Sequence, residues 1–156
     1  FRRVLFRSGQ SIDSDKYVYK LGWLDHLHDW LKPQLVLGED LVLVGDFNIA
    51  PTDADVHDPV AWAGQILCST PERERFQALL ALGLHDAFRL FEQAPRSFTW
   101  WDYRQLAFRK NQGLRIDHIL VSQGLMARVR ACQVAREIRK LEQASDHAPV
   151  VVTLDD

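Results

Sequence analysis

Between residues 14 and 33 the apolar side chains Tyr17, Leu21, Leu24, Leu27 and Leu31 recur at steps of three and four, the period of one face of an α-helix. Ser14 stands where an N-cap belongs, and Pro33 where the segment should close. Residues 41–44 then read Leu-Val-Leu-Val without a polar interruption, which predicts a strand covered on both faces. A loop runs from Ile49 through Asp58-Pro59 to a second helix opening at Thr70-Pro71. Thr70 is its expected cap, Pro71 suits the first turn, and Phe76, Leu79, Leu80 and Leu84 form the expected buried face. Further on, residues 97–103 are aromatic and strand-like, and 104–113 are polar and basic with a turn at Asn111-Gln112-Gly113. Strands are predicted over 114–121, 128–137 and 147–154.

The order helix, strand, long loop, helix, then several strands indicates a layered α/β architecture with mixed strand pairing. At 156 residues and 47% apolar composition the chain suits one domain, without internal repeats. The first eight residues, Phe-Arg-Arg-Val-Leu-Phe-Arg-Ser, fit poorly with the rest of the chain. They read as a non-native leader before a domain spanning 9–156. No stretch approaches the ~18 uncharged apolar residues of a membrane span. Cys68 and Cys132 lie far apart in apolar surroundings without metal-ligand spacing, so buried thiols in a reducing cytoplasm are expected. The net charge is −2, but residues 96–140 hold ten Lys or Arg, among them Arg96, Arg104, Arg115 and Arg136, against Asp102, Asp117 and Glu137. Such a local excess attracts a phosphate backbone or serves as a solvated face.

The chemistry gathers at strand ends. Gly45-Asp46-Phe47-Asn48 closes the apolar run at 41–44, and in an extended backbone Asp46 and Asn48 point the same way, roughly 7 Å apart. Asp117 sits inside an apolar strand segment, where a carboxylate needs a partner, and His147 in Ser145-Asp146-His147 can supply one. Taken singly, these residues read more readily as turn caps and a surface histidine than as catalytic groups. Taken together, a His–Asp pair, a second Asp and an Asn amide meet the needs of phosphodiester hydrolysis around Mg²⁺, which takes oxygen ligands.

The segments Gly45-Asp46-Phe47-Asn48-Ile49-Ala50-Pro51-Thr52-Asp53, Ser97-Phe98-Thr99-Trp100-Trp101-Asp102-Tyr103-Arg104, Gly113-Leu114-Arg115-Ile116-Asp117 and Ser145-Asp146-His147-Ala148-Pro149-Val150 resemble, in order, the motifs of the exodeoxyribonuclease III group of the endonuclease/exonuclease/phosphatase family. The resemblance implies a DNase I-like α/β sandwich, with this chain as the second half of a four-layer fold. It also implies a Mg²⁺-dependent DNA-repair phosphodiesterase, with Mn²⁺ as an alternative metal. Such an enzyme removes nucleotides from 3′ ends and cuts duplex DNA beside abasic sites, as a monomer without a membrane.

By position, the resemblance makes Asp46, Asn48, Asp117 and His147 catalytic. Asp46 handles the proton at the leaving side and Asn48 holds a phosphate oxygen. His147, oriented by Asp117, acts as base or phosphate contact. The metal falls to Asp46, Asn48, Asp146 and His147. Trp100, Trp101 and Arg104 fall where the family probes DNA, with one of the two tryptophans expected in the core. The family's metal-leading Glu has no counterpart in this chain, and Leu5 stands where the family has a catalytic Tyr. Weak activity of the chain by itself is therefore expected. The alternatives are a phosphoesterase acting on lipid head groups and a non-catalytic DNA-binding half-domain.

Overall fold

The computed structural model describes residues 11–155 of the chain; the expected leader over 1–8, with Leu5, lies outside the described residues. Helix α1 spans Asp15–Val36, and the Ser14 hydroxyl caps it by accepting from the Tyr17 N–H at 3.3 Å. Pro33 lies inside the last turn and does not close the helix. A proline there removes one backbone hydrogen bond, but the next turn is still held by the Leu37 N–H on the Pro33 carbonyl, and the Gln34 amide takes the Trp30 carbonyl. The inner face of α1 buries Tyr17, Lys20, Leu24 and Leu31.

Strand β1, Val42–Asp46, leads into the long loop, which contains a one-turn helix α2 at Pro59–Trp62. Helix α3, Thr70–Ala81, packs on α1. Its cap is Ser69, one residue earlier than expected, because Glu72 reaches back to accept from the Ser69 N–H at 3.1 Å and hydroxyl at 2.6 Å. Gly83, at φ +100, ends the helix. Leu84, expected on the helix face, instead begins the short strand β2, Leu84–Asp86.

Strand β3, Asp117–Ser122, lies between β1 and β2 and pairs antiparallel with both, while β4, Val129–Val134, pairs antiparallel with β5, Val150–Leu154. Every strand pair among the described residues is antiparallel, so the expected mixed pairing is not found within them. Residues 97–103 form no strand, because Trp100 makes only single bridges to Leu114 and His147.

Leu24, Leu31, Phe47, Ile49, Phe76, Leu79, Leu84 and Leu120 form the core beneath the sheet, with Leu41 and Leu43 against it. The predicted two-sided burial of 41–44 does not hold, since Val42 is 40% and Val44 60% exposed. Alternate residues of a strand face opposite ways, and no described element covers the second face. Among the described residues no helix is long and apolar enough to cross a membrane.

One buried ion network ties the loop after β1 to the strands. Arg115 is 2% exposed. Its guanidinium donates to Asp55 at 2.7 Å and to Asp86 at 2.8 Å, and Arg89 also pairs with Asp55. Arg115 therefore leaves the basic surface in which its sequence position had grouped it. Removing it leaves the buried Asp86 without its cation and Asp55 with Arg89 alone, a loss of about 3–5 kcal/mol. Arg115→Met should lower the unfolding free energy in urea by that amount, and a loss below about 1 kcal/mol would contradict the role given to this network.

Candidate functional site

The β1–β3 register sets Asp46 directly opposite Asp117. The Phe47 N–H continues the ladder by donating to the Ile116 carbonyl at 3.0 Å, after which the chain turns out of the sheet. Asn48 makes that turn at φ +53, a left-handed conformation that Asn tolerates better than most residues. The turn brings Asn48 closer to Asp46 than an extended backbone allows. Its backbone N–H donates to Asp46 Oδ1 at 2.8 Å and its amide Nδ2 to Asp46 Oδ2 at 3.0 Å. The amide oxygen, Asn48 Oδ1, is buried without a protein partner.

His147 arrives on the turn before β5. Its Nδ1 lies 2.9 and 3.1 Å from the two Asp117 oxygens, and its Nε2 4.0 Å from Asp46 Oδ2. Residues 99–101 hold this turn against β3. The Thr99 hydroxyl accepts from the Ile116 and Asp117 N–H groups at 3.0 and 3.1 Å. The Thr99 carbonyl accepts from the Ala148 N–H at 2.7 Å, and the Trp101 N–H donates to the Asp146 carbonyl at 3.1 Å. An open cavity of about 500 Å³ is lined by Asp46, Asp117, Ser145 and His147.

Burial, reinforced by the Asp117 charge, pushes the Asp46 carboxyl up to about 6 against the smaller opposing pulls of the Asn48 N–H, His147 and Lys20. Burial alone would lower His147, but its bond to Asp117 and the charges of Asp117, Asp46 and Asp146 outweigh it and raise the imidazole. The carboxyl of Asp46 thus keeps a proton up to about pH 6.

The donor set fits a hard divalent ion: one ligand atom each from Asp46, Asp117 and His147 lies within 4.8 Å of the others, and the unpartnered Asn48 Oδ1 adds an oxygen beside them. Asp146 does not belong to that cluster. Its Oδ2 accepts from the Trp100 indole at 2.9 Å instead, because the Trp100–His147 bridge draws the ring onto it.

Trp100 is half-buried and presents one wall of a second cavity, about 340 Å³, shared with His57, Trp62 and Arg104. Trp101 is wholly buried, donating its indole N–H to Asn111 Oδ1 at 3.1 Å. It is the core tryptophan of the two and presents nothing to a DNA base. Arg104 is exposed and clasps Asp102 through Nε and Nη2.

Sequence reasoning missed three residues here. Thr99 was hidden between aromatic neighbours. Trp62 lies in a loop segment without a motif. Lys20, on the inner face of α1, donates to the Asn48 carbonyl at 2.5 Å.

The family model described as endonuclease/exonuclease/phosphatase matches residues 3–147. The exodeoxyribonuclease III of Haemophilus influenzae is 37% identical over 153 residues, covering 93% of this chain and 57% of that protein. A Neisseria 3′ phosphatase bound to a product DNA hairpin superposes with a TM-score of 0.92 at 44% identity, over 97% of this chain and 59% of that one. An AP endonuclease from Archaeoglobus fulgidus gives 0.89 at 34% identity, over 97% and 60%. The chain therefore spans little more than half the length of the relatives it matches.

Folded metal-free protein retains the Asp46 proton between its ordinary value of 3.8 and about 6, a range in which the unfolded chain has released it. The stability linked to that proton is present in full below the ordinary value and is lost as the pH rises through about 6. Asp46→Asn cannot lose it. The melting temperature of the variant relative to wild type should therefore climb as the pH passes from about 4 to about 7, and a difference independent of pH would contradict this assignment.

Proposed function

The chain belongs to the endonuclease/exonuclease/phosphatase family, and we propose that the cluster of Asp46, Asn48, Asp117 and His147 is the nuclease centre of a DNA-repair phosphodiesterase. The observation that carries the reading is the juxtaposition of two carboxylates and an imidazole within 4.8 Å of one another, one β-bridge away from a half-exposed tryptophan. The substrate we infer is duplex DNA at 3′ ends and beside abasic sites, handled by a monomer in the cytoplasm.

Asp46, Asn48 and Asp117 would hold Mg²⁺, or Mn²⁺ in its place, with His147 beside them. When bound, the ion supplies positive charge for the phosphoryl oxygens. Asn48 offers its amide to the phosphate. His147, kept in orientation by Asp117, is assigned to the attacking water as its base. Asp46, with a carboxyl near 6, hands a proton to the leaving sugar oxygen as the water, giving its own proton to His147, bonds to phosphorus. Trp100 gives an unstacked nucleotide an aromatic surface beside the site, and Arg104 lies on the same cavity.

The uncovered apolar face of β1 favours a second reading, in which this chain binds DNA but turns it over poorly. One assay separates the readings: the 156-residue chain with Mg²⁺ is given duplexes carrying an abasic-site analogue or a recessed 3′ end, and phosphoinositide and sphingolipid substrates in parallel. The expected result is slow, Mg²⁺-dependent cleavage of DNA alone, reduced on the order of 10²- to 10⁴-fold by His147→Ala. Trp100→Ala should weaken DNA binding more than turnover. Binding without cleavage supports the second reading, and lipid head-group hydrolysis overturns both.

A further inference from the structure

Lys20 is a cation where a helix would ordinarily bury an aliphatic residue. It is 5% exposed and donates to the Asn48 carbonyl and to Glu72 Oε1, each at 2.5 Å. Glu72 is fully buried, and its other oxygen accepts from the Ser69 N–H and hydroxyl. The Tyr17 hydroxyl lies 2.7 Å from the same Ser69 oxygen. The chain of bonds thus runs from the first turn of α1, through the start of α3, to the backbone of the residue that leaves β1.

A buried ion pair is a weak source of stability, since apolar side chains of similar volume often serve as well. What an apolar pair cannot do is hold a carbonyl. Asn48 is 3% exposed and sits at φ +53, a conformation that costs a non-glycine residue free energy unless its surroundings enforce it. Its N–H and amide are committed to Asp46. Among the described residues, Lys20 is what holds its carbonyl.

We propose that Lys20 is a positioning residue for the nuclease centre, clamping the Asn48 carbonyl from beneath so that the Asn48 amide stays aimed at Asp46. This rests on the assignment of Asn48 to that centre. Glu72 fixes the ammonium, and the two helices thereby set the geometry at the strand end. Lys20 itself does not line the cavity and, on this account, does not touch the substrate.

The test compares wild type with Lys20→Met/Glu72→Gln, which removes both charges together and leaves no carboxylate stranded. Three quantities are read: the melting temperature, hydrogen exchange of the Asn48 side-chain amide by NMR, and kcat and KM on the abasic duplex. The expected result is a melting temperature within a few degrees of wild type and Asn48 amide exchange at least about tenfold faster. A fall in kcat on the order of 100-fold at nearly unchanged KM should accompany them, the scale of a small misplacement in a reacting constellation. Asn48 exchange that stays at the wild-type rate overturns the proposal. So does an increase shared equally by every buried amide, which would mark a general loss of stability. If the unsubstituted chain cleaves no DNA but Asn48 exchange responds selectively, the clamp stands and the nuclease reading fails.

Discussion

Two carboxylates facing each other across a β-ladder repel, and the pairing of Asp46 with Asp117 is the constraint that shapes the site. Like charges directly opposite one another destabilise a sheet, so the fold must neutralise this pair. It does so with the two N–H donors of Asn48 on Asp46, the imidazole of His147 on Asp117, and a proton kept on Asp46 up to about pH 6. A divalent ion relieves the same repulsion more completely. Shifting β1 by one residue would send Asp46 to the opposite face. The register is thus a functional quantity as well as a structural one.

That register is held from three sides. The apolar residues of α1 and α3 pack beneath β1. Arg115 ties the loop after Asn48 to β2 through Asp55 and Asp86. Residues 99–101 join the start of β3 to the turn carrying His147. Residues far apart in sequence converge because each is anchored to backbone on either side of the β1–β3 pair. The uncovered face of β1 is the one side without such support among the described residues.

Much of this was legible in the chain itself. Helix α1 shows in its period of three and four. The polar residues of the site stand out because each succeeds or interrupts an apolar run, where an unpaired carboxylate would be costly. Other features depend on tertiary context. Whether Val42 and Val44 are covered depends on a neighbouring layer, and a strand as short as β2 has no period to read. The alternation rule placed Asp46 and Asn48 about 7 Å apart; the left-handed turn at Asn48 brings them into direct contact. Trp101, Asp146 and Arg115 all sit in segments that point to function, yet they pack the core, hold Trp100 and neutralise buried acids. Lys20 stayed hidden for the opposite reason, since a lysine on an amphipathic helix ordinarily faces water.

The claim that Asp46 and Asp117 form a cation site is tested most directly by titrating Mn²⁺ into ¹⁵N- and ¹³C-labelled chain and following paramagnetic broadening by NMR. The account predicts that the resonances of Asp46, Asn48, Asp117 and His147 broaden first and together, and that Asp46→Asn abolishes the effect. Broadening centred on another acidic group such as Glu39-Asp40, or none at millimolar Mn²⁺, would contradict it.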